Sequence, residues 1–138
     1  MSTGSSPSIP FDPREFLRVA NALQAATAEA EWRTAVGRAY YGLFLLARDR
    51  LYPSPMPSRV IRRQMARGRL ANIPIHQAVL EEVKRRSTSV GNQLQKLHEL
   101  RIQADYYPRS NPQYADWHRN AQNAMSIATH ILPRIRTI

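Results

Sequence analysis

The chain has 138 residues, a length that holds one hydrophobic core and not two. Its lack of cysteine excludes disulfides and thiolate metal sites, and its five glycines among many aliphatic and alanine residues suit packed helices better than a turn-rich strand sandwich. Twenty basic against ten acidic side chains give a formal charge of +10, all but Lys84 and Lys96 of the bases being arginine. That surplus attracts polyanions, nucleic acid above all, although the arginine-favouring codons of a GC-rich genome would leave the same composition.

The first ten residues, "MSTGSSPSIP", read as a flexible tail ahead of a domain over 11–138. They lack the basic and apolar regions of a signal peptide, and no run of about 18 apolar residues occurs anywhere, so a cytoplasmic protein with no membrane contact is expected. "DPREF" starts the first helix: Asp12 suits the cap and Pro13 the first helical position, with Phe16, Ala20, Leu23 and Thr27 following at helical spacing.

"EAEWRTAVGRAYYGLFLLARDRL" is the strongest helix. Trp32, Ala35, Val36, Ala39, Leu43, Leu46, Ala47 and the stem of Arg50 share one face, and Tyr40, Phe44 and Leu51 widen it, as expected of a central helix buried on most sides. The prolines of "YPSPMP" end it. Pro74 opens another helix, "PIHQAVLEEVKRRS". A third apolar series, Val90, Leu94, Leu97 and Ala104, runs until Pro108. Trp117, Ala121, Ala124, Ala128, Ile131 and Ile135 form the seam of a last helix, with Pro133 near its end. Helices joined by short links, without a strand pattern or internal repeat, predict an all-α antiparallel up-and-down bundle of four to five helices.

Motifs for established chemistries are absent. There is no phosphate-cradling glycine loop, no nucleophile elbow and no His or Cys pair at metal-ligand spacing, so neither metal nor cofactor is expected. His76, His98, His118 and His130 are scattered along the chain. The polar stretch "LHELRIQADYYP" is the place to look for a site. At about 100° per residue, His98, Arg101 and Asp105 fall within about 60° of one another on their helix. Arg101 lies at the edge of the apolar stripe, where a guanidinium is costly to desolvate without a partner. Asp105, one turn on, is the nearest. Either the pair is structural, tied to tyrosine hydroxyls, or Arg101 faces a groove at a subunit interface where a ligand phosphate approaches. Arg38, three residues before Tyr41, is likewise either half of an ion pair or a second contributor to that groove.

"GRAYYGLFLLARDRL", followed some 60 residues later by "LRIQADYY" and with the His-led "HQAVLEEV" between them, resembles the HEPN domain proteins. The resemblance spans residues 13 to 137. It implies a helical bundle that forms homodimers. In many members it also implies metal-independent endoribonuclease activity within prokaryotic toxin–antitoxin, CRISPR or anti-phage systems. Other members are non-catalytic modules that bind RNA, nucleotide or a protein partner, such as a nucleotidyltransferase or a larger defence effector encoded nearby. The nucleolytic members carry an Arg followed after four to six residues by His. RNA cleavage by the 2′-OH needs a proton acceptor, a proton donor and a cation near the phosphorane, which imidazole and guanidinium supply without metal.

Arg101 matches the family arginine, but Tyr106, Tyr107 and Pro108 occupy the positions where His is expected. The chain's one literal match, Arg69 to His76, straddles Pro74 and is taken as coincidence. His98, three residues before Arg101, is the candidate substitute, and Tyr106 the group that orients a phosphate or hydroxyl. Its ordinary pKa of about 10 makes it a poor base. Arg59, Arg62, Arg63, Arg67 and Arg69 form a run without acid that suits phosphate contact. The expected site is therefore Arg101, His98 and Tyr106, supported by Asp105, Arg38 and Tyr41, with RNA as partner. Whether it cleaves RNA or only binds a ligand stays open at this level. A DNA-binding protein ranks last, since no recognition helix follows a tight turn.

Overall fold

A computed structural model describes residues 11–52 and 74–138. The N-terminal tail and the run from Arg59 to Arg69 lie outside the described residues. Among the described residues five α-helices form an all-α bundle: α1 Arg14–Gln24, α2 Glu29–Leu51, α3 Ile75–Arg86, α4 Thr88–Tyr106 and α5 Trp117–Ile135. A 3-10 turn, Pro112–Tyr114, precedes α5. None of these helices is long and apolar enough to cross a membrane.

Local chemistry explains most of the boundaries. Asp12 Oδ1 accepts the Arg14 amide at 3.0 Å, so the cap forms as expected and Pro13 leads the helix in. Helix α1 stops at Gln24, however, and Thr27 lies exposed in the link rather than on the helical face. The link is held by the Trp32 indole, whose Nε1 donates to the Ala26 carbonyl at 2.8 Å. Ser87 caps α4 through the Val90 amide, and Asp116 caps α5 through that of Arg119.

Helix α2 is the centre, as its composition demands. Ala35, Val36, Ala39, Tyr40, Leu43, Phe44 and Ala47 are buried, and α2 packs against each of the other four described helices. The start of α1 crosses its second half. A Cβ on Gly42 would stand 3.0 Å from the Pro13 carbonyl and 3.1 Å from a Leu17 methyl, so hydrogen there is what allows the approach. Gly91 serves the α3–α4 crossing in the same way, since a Cβ would come within 2.6 Å of the Lys84 Cα. The apolar series of α4 (Val90, Leu94, Leu97, Ala104) and of α5 (Trp117, Ala121, Ala124, Ala128, Ile131, Ile135) are all buried.

Arg33 fastens the start of α2 to the end of α4. Its Nη1 donates to the carbonyls of Ala104 (3.1 Å), Tyr107 (2.9 Å) and, more weakly, Gln103 (3.4 Å). Its Nη2 donates to the Pro108 carbonyl at 3.2 Å and the Ser110 hydroxyl at 3.1 Å. The guanidinium also lies 4.6 Å from the Trp117 ring, and its Nε pairs with Glu29 at 3.0 Å. A helix C-terminus presents free carbonyls and partial negative charge, and this one cation answers both. The polar segment of α4 is thereby held against α2.

Candidate functional site

Arg101 projects from α4 toward α2. Its Nε lies 2.9 Å from Asp105 Oδ2, so the expected partner is in place. The N–H is not aimed at that oxygen, however, and Nε is buried without a hydrogen bond. The pair is therefore a charge contact lacking the directed bond that would make it strong. Asp105 itself is exposed, with Oδ1 over Gly37 of α2.

Around this pair the chain gathers the other expected residues. The Arg101 guanidinium carbon is 5.7 Å from the Tyr41 ring centre and 5.6 Å from that of Tyr106. Arg38 approaches the same Tyr41 ring at 5.5 Å and the Phe16 ring at 5.0 Å. Two guanidiniums thus share one tyrosine, a cation–π arrangement. Among the described residues Arg38 has no ion pair. Of the two readings of Arg38, its location therefore matches a place beside Arg101. Tyr106 is 63 % exposed at the rim.

His98 turns inward from Arg101 and meets an aromatic stack. Its ring centre is 5.1 Å from that of Tyr40 and 5.9 Å from that of His76. His76, near the start of α3, stacks on Phe44 at 4.1 Å, and its Nδ1 is 2.7 Å from the Tyr40 hydroxyl. Burial pushes the Tyr40 phenol up, so it keeps its proton, and it shares with the imidazole a hydrogen bond whose direction follows the His76 tautomer. Burial first, then His98, Arg101 and Arg48, push His76 down to about 4. Burial and Arg101 lower His98 as well. Both imidazoles are therefore neutral at pH 7 in the free protein. An imidazole held at about 4 is a weak base near neutrality and carries no proton to give a leaving group. A phosphate anion arriving beside Arg101 would raise both, because opposite charge favours the protonated ring.

Of the predicted residues, Arg101, Asp105, Tyr106, Tyr41 and Arg38 share one patch, while His98 joins it to the interior. His118 lies apart, its ring 4.8 Å from that of Trp32, and His130 is exposed on α5. Tyr40 and His76 are not among the expected site residues. Tyr40 reads as a core residue of the "AYY" stretch, and His76 as the head of the "HQAVLEEV" helix whose match to Arg69 is set aside as coincidence. Their bond joins residues 36 positions apart. Arg33 is not among them either, because nothing in its neighbours announces a carbonyl cluster more than 70 residues away.

Comparison with protein-family models, with curated proteins and with solved structures returns no match.

Proposed function

We propose that this chain is a HEPN-like, RNA-associated helical module that meets the phosphate backbone through Arg101, Arg38 and Tyr41. One observation carries the reading. Two guanidiniums share the Tyr41 ring while, among the described residues, one exposed carboxylate, Asp105, pairs with them, leaving there a net positive patch backed by an aromatic surface. Phosphate contact by arginine with a flanking ring is the chemistry by which single strands are held. The overall charge of +10 and the arginine run from Arg59 to Arg69 extend that preference. The resemblance of the α2 and α4 motifs to HEPN proteins suggests a homodimer from a prokaryotic defence or toxin–antitoxin system, with a protein partner encoded nearby.

Two versions of this function differ in chemistry. A metal-independent endoribonuclease would use Arg101 at the scissile phosphate, with His98 as proton carrier and Tyr106 orienting the strand. A non-catalytic module would use the same patch for binding alone. The depressed imidazoles favour binding alone, since burial holds His76 at about 4 and draws His98 below its ordinary value before ligand arrives.

Incubation of the purified protein with total RNA and a chelator, wild type beside Arg101→Ala, decides between them. The binding module retains RNA with steep salt dependence, loses about tenfold in affinity in Arg101→Ala and cleaves nothing. Chelator-resistant cleavage that vanishes in a folded Arg101→Ala protein would establish the ribonuclease. Failure of the folded wild type to bind any RNA at low salt sinks both versions.

A further inference from the structure

The start of α3 meets α2 through the ring of His76, which stacks on Phe44 at 4.1 Å and shares a hydrogen bond of 2.7 Å with the Tyr40 hydroxyl. Over the rest of its length α3 packs more extensively on α4 than on α2. Those two helices cross closely at Lys84 and Gly91, Lys84 bonds to Gln95, and Val79, Leu80 and Val83 are buried. The helix is thus held by apolar packing along most of its length and by a titratable ring at its start.

Three features of the geometry make that ring a poor place for a proton. His76 is the second residue of α3, where the free amides of a helix start carry partial positive charge. Its ring lies 5.9 Å from that of His98, so two protonated rings would face each other. Arg101 of α4 and Arg48 of α2 add their charge to the same place. The phenol rings of Tyr40 and Tyr41 complete the α2 side, and Glu99 beside His98 favours that ring's protonated form. Glu81 and Lys84, of opposite charge, line the cleft between α3 and α4 on which His98 also opens. Burial, His98, Arg101 and Arg48 accordingly hold His76 at about 4 against an ordinary 6.5, while burial and Arg101 lower His98.

We infer that the first turn of α3 is an acid-released latch: protonation of His76 and His98 parts it from Tyr40 and Phe44 while the rest of α3 stays seated on α4. Opening returns both rings to water, so the open form takes up protons that the closed form refuses. The latch is therefore shut above pH 6.5 and is drawn open as pH falls toward 4. Freeing one turn costs less at neutral pH than unfolding the bundle, so the same protons reach the local opening before the global one. What opening uncovers is the pair of rings, Tyr40 and Phe44, that the closed form buries. The latch follows from packing and does not rest on the RNA-binding reading.

Nuclear Overhauser contacts between the His76 and Phe44 rings, followed in the full chain from pH 7.5 to 4, test the latch. The contacts should be present at pH 7.5 and lost with a midpoint at about pH 5. At that midpoint the methyl signals of Ile131 and Ile135, buried in α5, should keep their native positions. His98→Gln should make the transition shallower, from about two protons taken up to one. His76→Phe keeps a ring on Phe44 that cannot be protonated, and should hold the contact at position 76 through pH 5. Contacts that persist in the wild type down to pH 4 overturn the inference. Their loss only together with the native Ile131 and Ile135 signals overturns it too, since that is unfolding of the whole bundle, and so does an equal loss in His76→Phe.

Discussion

Arg33 and Arg101 are both arginines on helices beside the core, about equally shielded at 14 % and 16 % side-chain exposure. The difference is in what surrounds the guanidinium. Arg33 donates to four carbonyls and a hydroxyl, pairs with Glu29 and stacks on Trp117, so its bonding capacity is spent. Arg101 has tyrosine rings and one close carboxylate, with Nε left unbonded. A cation with all its donors filled holds a fold together. A half-buried cation with donors to spare is suited to an incoming anion, because the desolvation cost is partly met before the ligand arrives.

The contrast is easiest to break at Arg33. Arg33→Ala should lower the unfolding free energy by about 3 kcal/mol in a denaturant titration, since several shielded carbonyls lose a charged donor at once. Arg33→Lys should recover less than half of this, an ammonium being unable to span both rows of acceptors. Were Arg33→Ala to cost no more than Arg101→Ala, the division between a structural and an available arginine would be wrong.

Next in size is the pH dependence set by the imidazoles. His76 falls from an ordinary value of 6.5 to about 4 in the fold. Between those values the unfolded chain binds the extra proton, so stability is fully present above 6.5 and is lost as pH falls toward 4. His98 acts in the same direction. Because His76 is only half-buried, solvent screening limits its share to roughly 1–2 kcal/mol. His76→Phe should flatten the stability profile over that window, and an unchanged slope would refute the assignment. Tyr40→Phe removes the phenol bonded to Nδ1 and should cost about 1 kcal/mol.

The smallest effect belongs to Asp105. Its exposed carboxylate makes a contact without a directed hydrogen bond, so Asp105→Ala should change stability by less than about 1 kcal/mol. The same change should strengthen RNA retention by removing the negative charge beside Arg101. A loss of several kcal/mol would make the pair a structural one and weaken the phosphate reading.

Much of the architecture was legible along the chain. The cap at Asp12 and the apolar seams of α2, α4 and α5 depend on neighbours within a few turns, so periodicity and cap chemistry suffice to find them, whereas the caps at Ser87 and Asp116 emerge only in the structure. The grouping of Arg101 with Asp105 and Tyr106 belongs to the same class, being a matter of spacing on one helix. Thr27 marks where local reading failed, because helical spacing continues past a link that the Trp32 indole holds. Tyr41 with Arg101, Tyr40 with His76 and Arg33 with the end of α4 each join separate helices, and helical period contains no information about which faces will meet. Composition and periodicity determined the helices and their buried faces, since those follow from interactions within a few residues. Tertiary packing alone decided which guanidinium would be satisfied and which imidazoles would be shielded, because those properties depend on groups supplied from far along the chain.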